Sequence, residues 1–145
     1  MMSRFAAALA VLAVSAMPAM AQSGCGSAPI APAIPSASDI GKLAPDVAST
    51  TKHDAYTDVK KWQGDLKSYR DGLSAKTDQA KADMAEQTRN GKADKAAALK
   101  DQIDGYNKCF DSTVDTEQRV VGEYVTMSNA YCARSDVDRS TCPKK

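Results

Sequence analysis

What the sequence lacks narrows its chemistry first. The 145 residues include one histidine, His53, and four cysteines, with no Cys-x-x-Cys pair and no Cys-x-x-Cys-His motif. Covalent haem attachment, thioredoxin-like exchange and cysteine-rich zinc sites each depend on such spacings. A Ser-His-Asp or Cys-His device would have to be built on His53, whose nearest carboxylates along the chain are Asp54 and Asp58. Nor is there an acidic cluster dense enough for a cation site. The expectation is a non-catalytic protein with no cofactor and no metal. A non-covalent haem held by His53 and one methionine is the formal exception, and purified protein without a Soret band would exclude it.

Net charge of one sign is also missing. The chain has 19 basic and 18 acidic residues, and Arg4 lies in an expected leader, so acids and bases balance in the remainder. No basic stripe survives to hold nucleic acid or an anionic lipid surface. Beyond the leader no segment is apolar enough to cross a bilayer. Aromatic residues make up 6% of the chain and much of its apolar content is alanine. A core built from these buries little for its length, so self-association or packing on a partner is expected.

Residues 1–21 read as a secretory signal peptide: Arg4, an apolar run from Phe5 through Met17, then Ala19-Met20-Ala21 as the small-x-small cleavage signal before Gln22. Gly24-Cys25 invites a lipoprotein reading, but Gln22 stands where a lipobox carries an aliphatic residue. The expected destination is the periplasm of a bacterium or the extracellular medium. All four cysteines, Cys25, Cys109, Cys132 and Cys142, lie in the exported part, and an even count in an oxidising compartment argues for two disulfides. Cys109 and Cys132 sit 23 residues apart on what reads as one helix, hence about 35 Å, too far to bridge. A Cys109–Cys142 bond would need the intervening tail almost fully extended back along the helix. The favoured pairing is Cys25 with Cys109, strapping the amino-terminal segment down, and Cys132 with Cys142, pinning the tail.

Residues 22–45 are rich in Pro, Ala and Ser, with Pro29, Pro32 and Pro35 three apart, as suits an extended polyproline-like tether. A short helix is expected over 38–43, capped by Ser38, with Ile40 and Leu43 on its apolar side. Residues 46–134 carry the helical pattern. Ala55, Val59, Trp62, Leu66, Tyr69 and Leu73 recur by fours and threes, Thr77, Ala80 and Met84 continue after a stutter, and Ala96, Leu99, Ile103, Tyr106 and Phe110 resume it. The pattern then forks into Val114, Val121 and Val125 on one track and Val120, Tyr124, Met127 and Tyr131 on another. Between the two runs, Asn90-Gly91 tolerates positive φ and allows a reversal. The predicted fold is all-α: a long antiparallel, coiled-coil-like helical hairpin, with an extended Pro-rich segment before it and a short disulfide-pinned tail, 135–145, after it. Residues whose numbers sum to about 181 should face each other across the hairpin, placing Met84 near Ala97, Tyr69 near Ser112, and Trp62 near Arg119 and Val120. The first long helix could open at Pro45 or at Thr51.

Charged residues fall largely on the outer face, with acid-first pairs Asp104/Lys108 and Asp115/Arg119 and base-first pairs Lys61/Asp65, Lys67/Asp71 and Arg119/Glu123. Gly64, Gly72, Gly105 and Gly122 interrupt the helices, as points of close helix approach, as bends, or as plain unoptimised positions. Tyr56, Tyr124 and Val125 are the candidate contact patch: facing outward, they would give the open end of the rod a surface suited to gripping another protein. The functional expectation is an exported scaffold, adaptor or chaperone-like protein acting through contacts with an unidentified protein or a second copy. The alternative is a module that shelters a small apolar ligand between helices after self-association.

Overall fold

The computed structural model describes residues 24–143. The signal peptide expected over residues 1–21 lies outside that range, as does Gln22. Three helices follow in order: α1 (Ala37–Lys42), α2 (Pro45–Arg89) and α3 (Ala93–Ala133), with no strand among the described residues. The all-α hairpin stands as predicted, with α2 and α3 packed antiparallel along most of their length.

Three of the helix ends have a clear local cause. Pro45 occupies the first helical position of α2, where its missing N–H and fixed φ cost nothing, so the helix opens there rather than at Thr51. It stops at a Schellman motif. Gly91 takes a φ of 68°, its N–H donates to the Thr88 carbonyl at 3.1 Å, and the Lys92 N–H reaches back to Gln87 O at 2.9 Å. The expected cap of α1 lies two residues too late. Ser36, not Ser38, is the N-cap: its Oγ accepts from the Asp39 N–H at 3.1 Å, while Asp39 accepts from the Ser36 N–H at 3.3 Å. A capping box needs an acid three residues on; Ser36 has Asp39, whereas Ser38 has Gly41.

The seam follows the predicted register. Tyr56 meets Tyr124 and Gln63 meets Glu117, both pairs of the expected sum to within one residue. Trp62 packs in one cluster with Val59, Leu66 and Val120. Of the two tracks on α3, Val120, Met127 and Tyr131 are buried, whereas Val125 is exposed and Val114 and Val121 are only half-buried. Burial thins toward the hinge, where Thr77, Ala80 and Ile103 are the last buried positions.

The Pro-rich segment is extended, but it is not a free tether. Both disulfides pair as expected, with Cα separations of 6.5 Å for Cys25–Cys109 and 5.8 Å for Cys132–Cys142. From Cys25 the chain lies along the hairpin: Lys76 Nζ donates to Gly24 O at 2.9 Å, Trp62 Nε1 donates to Pro29 O at 3.2 Å, and Ala31 and Ile34 pack on the core. Prolines favour this because each fixes φ in the extended range and removes one N–H that would otherwise need a partner. The strap leads into α1, which sets Ile40 among Ala48, Ala55, Met127 and Tyr131 at the open end. The tail closes the same end. Tyr131 Oη donates to Asp138 O at 2.9 Å, and Arg134 bonds both Ile40 O and Asp136.

Two smaller expectations are corrected. Asp104 pairs with Lys100 rather than Lys108, while Lys67–Asp71 and, of the two partners expected for Arg119, Arg119–Glu123 form as anticipated. A Cβ built on Gly64, Gly72, Gly105 or Gly122 would meet no other chain segment within 4 Å, so none of these glycines permits a close helix approach.

Candidate functional site

Heptad spacing gives the hairpin two unlike flanks. Trp62, Tyr69 and Lys76, seven apart on α2, border the side taken by the strap, as their contacts with Pro29, the Cys25 cluster and Gly24 show. Tyr56, Gln63 and Arg70, also seven apart, border the other side and meet Tyr124, Glu117 and Thr113 of α3. That second flank holds the candidate site.

Near the open end, Ser49, Thr50, Lys52, His53 and Tyr56 of α2, Tyr124 of α3 and Thr141 of the tail surround a groove of about 520 Å³. Tyr56 and Tyr124 bring their ring centroids to 6.1 Å at a tilt of 47°. Tyr56 is 48% exposed and Tyr124 half-buried, and burial raises the Tyr124 phenol above its ordinary range while a bond to Ser128 opposes the shift. Val125 is 47% exposed but does not line the groove, so the structure joins two of the three patch residues and sets the third beside them along α3. His53 is exposed on the rim, and neither Asp54 nor Asp58 shares the groove with it.

Lys52, a residue type that a sequence pattern assigns to solvent, is the unusual member. It is only 7% exposed, on the seam between Ala48 and Ala55. Its Nζ donates to Thr141 O at 3.2 Å and to Thr141 Oγ1 at 3.0 Å, and lies 5.1 Å from the centroid of the Tyr131 ring. Burial holds its ammonium below the ordinary lysine range, because desolvation penalises the charged form. The steps of four and three that link Ala48, Lys52 and Ala55 were the available signal.

Farther along the same flank lies a polar clasp. Glu117 accepts from Arg70 at 2.5 Å and from Gln63 at 2.8 Å, while Arg70 Nε also donates to Thr113 Oγ1 at 2.8 Å. Chiefly through the Arg70 bond, the Glu117 carboxyl is held below its ordinary range. The guanidinium also lies over the Phe110 ring, 5.6 Å from its centroid. The cysteines of the candidate set are occupied as disulfides, and among the described residues no group of three His, Cys, Asp or Glu side chains is placed to hold a metal ion. No helix among them is long and apolar enough to cross a membrane. Comparison with protein-family models, characterised proteins and solved structures gives no match to this chain.

Proposed function

We propose that this protein is an exported, non-catalytic scaffold or adaptor that works through contacts with another protein at the uncovered flank of its hairpin, centred on Tyr56, Tyr124 and Val125. The observation that carries the reading is the pairing of an exposed tyrosine with a half-buried one across α2 and α3, on rigid helices, with Val125 exposed beside them. Aromatic side chains of this kind are enriched where one protein grips another, since they bring area at little entropic cost. Two formed disulfides support an oxidising destination, periplasmic or secreted. The open groove and the exposed His53 favour contact over turnover, because catalysis draws on enclosed, water-poor sites.

The test is a photo-crosslinking amino acid placed at Tyr56, with Gly64 as a control position, in cells that export the protein. A discrete adduct at Tyr56, reduced by Val125→Ser and absent from the control, is the expected result. Equal labelling at both positions, or none at Tyr56, would sink the contact surface.

A further inference from the structure

Charge compensation separates Lys52 from the other cations at the helix seam. Arg70 has Glu117 and Arg134 has Asp136, each within ion-pair distance. Lys52 is more buried than either, yet its partners are a carbonyl, a hydroxyl and an aromatic ring, all neutral. No acidic residue lines the groove beside it. A second lysine, Lys60, lies with Nζ 5.9 Å from the Tyr56 ring centroid and adds charge of the same sign. An ammonium removed from water without a counter-charge makes the adjoining space favourable for an anion. Thr141 takes two hydrogens of an ammonium that carries three.

The walls specify the rest of the ligand. Two tyrosine rings tilted at 47° offer aromatic surface, and Tyr56 leaves about half of its own uncovered. The groove volume of about 520 Å³ falls within the range of roughly 300–1,000 Å³ typical of small-molecule sites. A ligand that satisfied both ends would have a flat apolar body and one negative group.

We infer that the groove between Lys52, Tyr56 and Tyr124 is a binding site for a free small aromatic carboxylate, its anion toward Lys52 and its ring against the two tyrosines. This goes beyond the protein-contact reading and does not depend on it, since a single copy of the chain supplies every group.

The experiment is a titration of the isotope-labelled, disulfide-intact protein with 1-naphthylacetate and with its neutral primary amide, followed by amide NMR shifts. Naphthylacetate is expected to perturb resonances of residues 49–56, Tyr124 and Thr141, and to bind at least about tenfold more tightly than the amide. Tyr56→Ala should weaken naphthylacetate by about tenfold while leaving the thermal midpoint unchanged, since that ring is half in solvent. Lys52→Met should abolish the preference for acid over amide. Equal affinity for acid and amide overturns the inference, as do shifts centred away from the groove or wild-type binding by Tyr56→Ala. Because Tyr56→Ala leaves the Lys52–Thr141 bonds in place, a loosened tail in Lys52→Met does not rescue a negative result.

Discussion

Cutting the two disulfides separately should have unequal effects, with the larger loss at Cys25–Cys109. That bond joins residues 84 apart in sequence, whereas Cys132–Cys142 spans 10. If a cross-link acts by restricting the unfolded chain, the loop-entropy relation gives about 4.6 kcal/mol for the long loop and about 2.7 kcal/mol for the short one at 25 °C. Burial widens the gap. Cys25 and Cys109 are both buried, so serine would leave two hydroxyls in an apolar cluster with Leu73, whereas Cys132 and Cys142 are half-buried. The paired variants Cys25→Ser/Cys109→Ser and Cys132→Ser/Cys142→Ser can be compared by urea unfolding, with circular dichroism and tryptophan emission as probes. The only tryptophan, Trp62, is 4% exposed beneath the strap and donates to Pro29, so it reports whether the strap stays down. The first pair should lose at least about 2 kcal/mol more than the second, the loop-entropy difference being the lower bound, with a red-shifted native emission. Equal losses, or the reverse order, would refute the claim that the strap depends on its cross-link.

Gly64→Ala, Gly72→Ala and Gly122→Ala should each stabilise the protein by about 1 kcal/mol, since each lies in a helix interior with open space at the Cβ position; thermal or urea midpoints that fall instead would mean that a glycine serves a bend. The clasp makes stability depend on acid. The folded Glu117 carboxyl titrates below its unfolded value of 4.5, so its contribution is full above that value and is lost as pH falls through the lower folded one. Glu117→Gln should flatten the stability profile on the acid side, and a cycle with Arg70→Met should give a coupling of about 1 kcal/mol, reduced from a buried pair's worth by partial exposure. Amides near the hinge, over 78–102, should exchange with solvent faster than those of 55–70 and 113–130, because the hinge end has few buried side chains; uniform protection along both helices would contradict that gradient.

Much of the fold was legible because a single period governs both long helices. The turn at Asn90-Gly91, the residues on the seam and their register all follow from recurring fours and threes and one dipeptide suited to positive φ. The fork on α3 was harder. Its two apolar tracks lie about 100° apart around the helix, and hydrophobicity favours neither. The choice is made by polar residues that an apolar template passes over. Thr113 is buried, accepting from Arg70 and donating to Phe110 O, and Glu117 reaches the interface because Arg70 and Gln63 meet it there. Lys52 was hidden for the same reason: its position is a core position, but its type suggests solvent. The partner that makes its burial tolerable, Thr141, is 89 residues away, and the disulfide to Cys142 is what brings that residue close.

The groove belongs to the best-covered half of the molecule, and this bears on how it could work. Strap, α1, both long helices and tail converge at the open end, where the cluster around Ile40, Met127 and Tyr131 is built from all of them. Tyr56 and Tyr124 project from continuous helices anchored in that core, so their spacing is set by packing rather than by a loop. Thr141 is different. It is held through Cys142 and through Lys52, in a tail with no helix or strand of its own. Reducing Cys132–Cys142 should therefore disturb the environment of the Lys52 ammonium while leaving the tyrosine pair in place. The aromatic wall and the cationic end of the groove thus rest on separate supports, and contacts made by one can be lost without the other.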